Sequence, residues 1–366
     1  MAGYYIFGAH SRARTVKEYL RVLEPSLELQ AYLIDNDEAN PSFCDGVNVW
    51  DIRNSDIPSL DVTLPVYIGT RGVSHPQIIE ALKSLGFSNI IPVTVSLDMD
   101  MRNRYVRSVM SSRGENFLKI DDISAGDDDH KDVSSKLSTS VYVVKSIFDK
   151  PLAAPLKLAE YEKYIQAGTA LADHHIDNCE CFDDTGENIS TRNKQFCELT
   201  ALYWIWKHAK EDIIGMVHYR RHFIFPYDWL VRFSKAGADV ILPVPLFVAP
   251  NLAENYRERH VASNWTYMMD VLKERDEAEY KRASDFFENS GLYSPCNMFI
   301  MKREVLDGLC SWLFPVLFKV QQHGGILDDN YQNRYPGFLS ERLITFYFNE
   351  HRDKYKVVYA DKNFLQ

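Results

Sequence analysis

Apolar residues in this chain fall into short runs separated by amphipathic stretches, the alternation expected of an α/β protein. Tyr4-Tyr5-Ile6-Phe7-Gly8 reads as a strand, followed by a turn and a helix over about 12–23. Leu29-Gln30-Ala31-Tyr32-Leu33-Ile34 reads as a second strand, closed by Asp35. Pro65-Val66-Tyr67-Ile68-Gly69 and Asn89-Ile90-Ile91-Pro92-Val93 continue the sheet, with a helix near 76–85 that stops at Gly86. A fresh apolar run, Val141-Tyr142-Val143-Val144, starts a second set of strands. It continues with Ile165-Gln166-Ala167-Gly168, Ile213-Ile214-Gly215-Met216-Val217, Asp239-Val240-Ile241-Leu242-Pro243 and Met298-Phe299-Ile300-Met301. Between the two sets the pattern collapses into charge: Asp121-Asp122, Asp127-Asp128-Asp129, Lys131, Ser134, Ser135 and Lys136. Such a stretch cannot bury a core and reads as a solvated linker. The expected organisation is an N-terminal Rossmann-like domain at 1–120, an acidic linker at 121–139 and a second α/β domain at 140–366.

Composition narrows the function classes. At 46% hydrophobic and 25% charged residues the chain is ordinary for a water-soluble protein. A net charge of −10 argues against general nucleic-acid binding, which needs a basic face. Cysteines at 44, 179, 181, 197, 296 and 310 form no CxxC pair, so reduced thiols are the better expectation than disulfides or metal ligands. No signal-peptide pattern opens the chain and no apolar run nears the roughly 18 residues of a membrane span, so a cytoplasmic location is expected. Trp312-Leu313-Phe314-Pro315-Val316-Leu317-Phe318-Lys319 would suit a membrane interface, although a buried helix explains it more simply.

The first strand, helix, second strand and Asp35 have the order of a dinucleotide-binding half-fold. The fingerprint is poor, because Gly8-Ala9-His10-Ser11-Arg12-Ala13 keeps one glycine of GxGxxG. A structural Rossmann-like unit is the better expectation, with an NAD(P)-dependent oxidoreductase as the rival.

The densest chemistry lies at 183–223. Asp183-Asp184-Thr185-Gly186-Glu187-Asn188-Ile189-Ser190 reads as a turn. A helix at 193–208 follows, apolar nearly all round, and then the strand at 213–217 runs into His218-Tyr219-Arg220-Arg221-His222. Cationic groups at the carboxyl end of a buried strand suit an anionic ligand in an open α/β sheet. Because neighbours on a strand face opposite sides, one arginine of the pair is expected to point into the cleft.

Here the chain resembles a family of bacterial cell-surface polysaccharide glycosyltransferases, first catalogued as a domain of unknown function. The likeness rests on N-I-S-x-x-N, C-E-L-T-A-L-Y-W-I-W-K and H-Y-R-R-H-F within 187–223. It extends through Asn297-Met298-Phe299-Ile300-Met301-Lys302 and Gly337-Phe338-Leu339-Ser340-Glu341-Arg342-Leu343, over about 141–359. The resemblance implies a GT-A-like fold and sugar transfer, with some members linked to galactofuranose or galactose, in capsule or O-antigen assembly. It implies a nucleotide-sugar donor, a UDP-sugar for preference, and a polysaccharide or lipid-linked oligosaccharide acceptor reached by peripheral contact at the inner face of the cytoplasmic membrane.

GT-A enzymes commonly hold the donor diphosphate through an Asp-x-Asp and a divalent metal. The corresponding strand here ends in His218-Tyr219-Arg220-Arg221, without carboxylates. Arg220 and Arg221, helped by His218, could stabilise the leaving diphosphate in place of the metal. A pair between one arginine and Glu198 is the structural alternative. No metal or further cofactor is then required, although Mg²⁺ or Mn²⁺ at Asp183 and Asp184 is the competing arrangement. Both aspartates equally suit a turn or a helix cap. Asn188, Ser190, Asn193 and Tyr219 are candidate donor contacts, the first three with capping as the alternative.

For an inverting transfer Glu341 is the candidate base, expected at the start of a helix after the turn Pro336-Gly337, where the helix dipole would keep it ionised. Asp328 and Asp329 are weaker alternatives. His260 and Asn297 are candidates for the acceptor side. Tyr203, Trp204 and Trp206 could stack on a base or sugar, but their spacing suits packing. A carbohydrate-binding protein without catalysis is the remaining rival; it would bind a donor without turnover.

Overall fold

A computed structural model describes residues 2–36, 39–54, 58–124 and 137–365. The chain forms two compact units, Met1–Phe117 and Leu118–Gln366. Most of the expected linker, 125–136 with its acidic triplet, lies outside the described residues. Its first residues form a single 3-10 turn, Ile120–Asp122, which the Arg232 guanidinium holds through the carbonyls of Asp121 and Ile123.

Unit 1 is a six-stranded sheet in the order Phe43–Cys44, Val47–Asp51, Leu27–Ile34, Ala2–Phe7, Val66–Ile68, Ile90–Pro92. All neighbours are parallel except the first pair. The strand order reverses beside Ala2–Phe7, whose crossover helix is Ser11–Leu23. Tyr5, Phe7, Ala31, Leu33, Val66 and Ile68 form the buried face that holds this Rossmann-like sheet.

Unit 2 carries a seven-stranded mixed sheet. Its order is Val357–Ala360, Val240–Pro243, Phe299–Lys302, Ile213–His218, Thr139–Lys145, Glu162–Gln166, Cys181–Phe182. Phe299–Lys302 runs antiparallel to both neighbours; the other pairs are parallel. Ile213–His218 sits at the centre and is buried until its last residue, as its apolar run requires. One face packs on the helices Leu199–His208, Arg303–Gly324 and Tyr335–Glu350. Trp229, Phe233 and Phe223 cover the other. Leu339, Leu343 and Phe346 are fully buried, and each such side chain contributes roughly 1.5–3 kcal/mol. The stretch from Trp312 lies inside Arg303–Gly324, with Leu313, Phe314 and Leu317 in the core.

Two local expectations change. The helix expected over 193–208 is two helices, Asn193–Phe196 and Leu199–His208, broken at Cys197. The helix expected to begin at Ser340 begins at Tyr335. Pro336 is no turn residue there; in the first helical turn its missing N–H has no helical partner to lose. Glu341 consequently sits in the second turn, beyond the strongest part of the dipole.

Candidate active site

Five described non-glycine residues have positive φ, and three of them, Cys197, Cys296 and Asn297, meet at the carboxyl end of the central strand. Each such conformation costs on the order of 1–3 kcal/mol and persists where surrounding contacts hold it. Here the contacts are polar. The Glu341 carboxylate accepts from the Cys296 N–H at 2.5 Å, and His218 Nε2 meets the Cys296 carbonyl at 2.5 Å. The Asn297 amide donates to Glu198 Oε1 at 2.8 Å and to the Gly337 carbonyl at 3.1 Å, and its oxygen accepts from Ser340 Oγ at 2.7 Å. Arg334 Nε donates to Cys197 Sγ at 3.0 Å, while Asn193 donates to the Cys197 carbonyl. Asn297 thereby ties Glu198, at the broken helix, to the helix that carries Glu341.

The Cys296 carbonyl can only accept, so Nε2 of His218 bears the proton and Nδ1 keeps a lone pair. Burial lowers the His218 pKa, Glu198 and the Cys296 carbonyl oppose that, and the charges of Arg221 and Lys362 add to it. The imidazole is therefore neutral near pH 7. Glu341 shifts the opposite way: burial raises its pKa against the pull of Arg342, which lies 3.0 Å away, and of the Cys296 N–H. The expectation of a dipole-depressed carboxylate is corrected in sign, because Glu341 lies past the first turn and close to Glu198.

His218 to Arg221 is a tight turn, with backbone hydrogen bonds in both directions between its ends. The two arginines separate because of that turn rather than by strand alternation. Arg220 donates to Tyr219 Oη at 2.7 Å and to the carbonyls of Lys150 and Pro151 at 2.9 Å each. Its guanidinium is spent on holding that loop. Arg221 is half-buried, stacks on Phe364, and acts electrostatically on His218, Cys296 and Glu341. Among the described residues it has no hydrogen bond or ion pair from its side chain.

Beside this cluster, at the carboxyl ends of Thr139–Lys145 and Glu162–Gln166, lies a cavity of about 620 Å³. Lys145, Asp149, Leu152, Tyr164, His174 and Tyr219 are among its walls. Asp149 accepts from the Ser146 N–H at 2.7 Å, and burial pushes its pKa up to about 6 against the pull of that bond, of Lys145 and of Arg220. Tyr219, next in sequence to His218, lines the cavity, and the charge of Glu198 acts both on Asp149 there and on Glu341 in the cluster.

The acidic turn lies elsewhere in its chemistry. Asp183 is fully buried, and its carboxylate accepts from Gly168 N at 2.8 Å, Thr169 N at 2.9 Å and Ser190 Oγ at 2.5 Å. Gly168 has φ +70°, and the Asn193 side chain fills the space where a Cβ would stand. Asn193 also donates to Thr200 Oγ1 at 2.9 Å. Asn188 closes the turn through the Asp184 and Gly186 carbonyls and the Ser190 N–H. Asp183, Asn188 and Ser190 shape this loop and their polar groups stay out of the cluster, whereas Asn193 reaches it through the Cys197 carbonyl. Among the described residues no three His, Cys, Asp or Glu side chains group as metal ligands. All six cysteines are free.

Asn297 is in the cluster; His260 is not. It stacks on Phe338 at 4.2 Å and approaches Gln332 Oε1 at 3.3 Å. Burial lowers its pKa to about 4, aided by Arg342. An unfolded histidine titrates near 6.5, so between those values the unfolded chain binds a proton that the folded chain does not. Stability should fall as pH drops from about 6.5 towards 4. The loss should be shallower in His260→Gln, as read from melting temperatures between pH 7 and 5.

Tyr203, Trp204 and Trp206 pack and cap locally. Tyr203 and Trp206 meet Phe314, and Trp204 donates to Thr185. Two contributors went unnoticed in the sequence: Asp149 and Lys362.

These features define an α/β domain with a strained polar cluster and an adjoining cavity at the carboxyl edge of a mixed sheet. A family model described as Domain of unknown function (DUF4422) matches residues 149–352, more than half of the chain, and the chain belongs to that family. The apo structure of the bifunctional glycosyltransferase WbbM shares the fold, with a TM-score of 0.55 and 23% identity over 63% of this chain. The match spans 45% of that chain, less than half of its length. No curated protein matches.

Proposed function

We propose that unit 2 transfers a sugar from a nucleotide-sugar donor to a hydroxyl acceptor. The observation that carries the reading is Arg221, a half-buried guanidinium with no ion partner among the described residues, which shares the turn at the end of the central strand with the cavity-lining Tyr219 and acts on the partly buried Glu341 carboxylate. The fold shared with a glycosyltransferase structure supports it.

The cavity would take the nucleoside, with Asp149 and Tyr164 on its walls. Its carboxyl-edge position is where α/β sheets bind nucleotides. Arg221 would face the diphosphate, and its charge would stabilise the negative charge that develops as the glycosidic bond breaks. Arg220 acts indirectly, by fixing the Lys150–Pro151 loop. Glu341 would accept the proton of the attacking hydroxyl in an inverting transfer, and neutral His218 would hold the Cys296 turn that presents Glu341.

The donor we infer is UDP-linked, with galactose or galactofuranose as the sugar. The acceptor we infer is a polysaccharide or lipid-linked oligosaccharide of capsule or O-antigen assembly, met at the inner face of the cytoplasmic membrane. Among the described residues no helix is long and apolar enough to cross a membrane, so such contact would be peripheral.

The test is release of UDP from a panel of UDP-sugars, with and without oligosaccharide acceptors, in EDTA and in Mn²⁺. Arg221→Ala should lower kcat/KM by roughly 10–100-fold, the loss of a charged contact to a desolvated phosphate. Turnover confined to Mn²⁺, or indifferent to Arg221→Ala, would contradict the arginine assignment.

A further inference from the structure

The C-terminal tail is built onto the turn that carries Arg221. The Asp361 carboxylate, 6% exposed, pairs with Lys119 at 2.6 Å, and the Asp361 carbonyl accepts from Ile224 N at 2.8 Å. Lys362 bridges Phe223 in antiparallel fashion. Asn363 donates to the His222 carbonyl at 2.9 Å and accepts from His222 N at 3.0 Å, and Leu365 donates to the Arg220 carbonyl at 2.7 Å. In this register Phe223 faces Lys362 and Arg221 faces Phe364. Side chains alternate along such a ladder, so Arg221, Phe223, Lys362 and Phe364 share one face. The Arg221 guanidinium accordingly lies 5.3 Å from the Phe364 ring centroid.

Lys362 is half-buried, and among the described residues its ammonium has no hydrogen bond or ion pair. Its charge falls on His218 and Cys296, the same pair that feels Arg221. The charges of Arg221 and Lys362 thus fall on the same neutral histidine, and among the described residues neither cation has a carboxylate within ion-pair distance. An anion bound at this face would be drawn by both charges.

We propose that the tail is part of the donor site, with Lys362 supplying a second cationic contact to the diphosphate opposite Arg221. The proposal rests on the donor-site reading above and adds a residue outside the segment matched by the family model.

Calorimetric titration separates the two. Full-length protein is titrated in EDTA with UDP, GDP and CDP, and the best binder is compared with its nucleoside. Lys362→Ala should weaken the diphosphate about tenfold or more while leaving the nucleoside within about twofold, and Lys362→Arg should recover most of the loss. Lys356→Ala, an exposed lysine on the preceding segment, should match wild type. Unchanged diphosphate affinity in Lys362→Ala, alongside a loss in Arg221→Ala, would overturn the role of the tail and leave the donor site standing. Equal weakening of nucleoside and diphosphate would also overturn it, by making Lys362 a structural residue. Failure of wild type to bind any of the three diphosphates would overturn both readings.

Discussion

Replacing Glu341 with glutamine should lower the transfer rate by about 10²–10⁴ and at the same time raise the melting temperature. The rate loss is the usual contribution of a positioned general base. Glutamine keeps an oxygen for the Cys296 N–H but cannot accept the acceptor's proton. The stability gain follows from the direction of the pKa. Burial holds the folded pKa of Glu341 above its ordinary value. Its contribution to stability is therefore full below the unfolded pKa and is lost as pH rises through the folded one. Above its folded pKa the ionised carboxylate is a burden that the neutral amide removes. In the wild type the same shift should move the acid limb of kcat/KM above the ordinary carboxylate range, since the base must be deprotonated to act. Calorimetric unfolding and a pH–rate profile check both halves. A variant that is inactive and also less stable would instead mark Glu341 as a structural partner of Arg342 and Cys296.

Asp183→Ala should do the reverse, destabilising unit 2 by about 3–5 kcal/mol. Three buried donors, Gly168 N–H, Thr169 N–H and Ser190 O–H, would lose their acceptor, and each buried unsatisfied group costs about 1–3 kcal/mol. In a domain of this size that is a fall of roughly 10 °C in melting temperature. Asp183→Asn should fall between, since its amide retains one accepting oxygen. Melting curves without added metal, then with Mn²⁺, give the check. A variant with native stability that has lost Mn²⁺-dependent turnover would restore Asp183 as a metal ligand.

The contrast between these carboxylates shows where sequence reading succeeds and where it runs out. Local pattern suffices for the strands: Tyr4 to Phe7 and Ile213 to Val217 are apolar runs bounded by polar turns, and both are strands. The break at Cys197 has no such signal, because apolar periodicity runs through it from Phe196 to Leu199. The backbone is bent there by Arg334 and Asn193, the first 137 residues away. Pro336-Gly337 has the composition of a turn, yet at a first helical turn proline is tolerated, and this moved Glu341 out of the expected dipole environment. For Asp183 the acidic turn is visible, but two of its three donors come from 14 and 15 residues upstream. Arg220 and Arg221 were legible as a cationic pair. Their division into a loop clamp and an unpaired charge depends on the turn at 218–221 and on Lys150 and Pro151. Lys362 carries no local signal at all; its place follows from the register of a ladder between residues about 140 apart in the chain.

The most direct measurement is a crystal structure of the protein with the tightest-binding nucleoside diphosphate. The nucleoside is expected in the cavity between Asp149 and Tyr164, and the diphosphate within hydrogen-bond reach of Arg221. A nucleotide seated instead at the Gly8–Arg12 turn of unit 1, or one whose phosphates leave Arg221 untouched, would contradict this expectation.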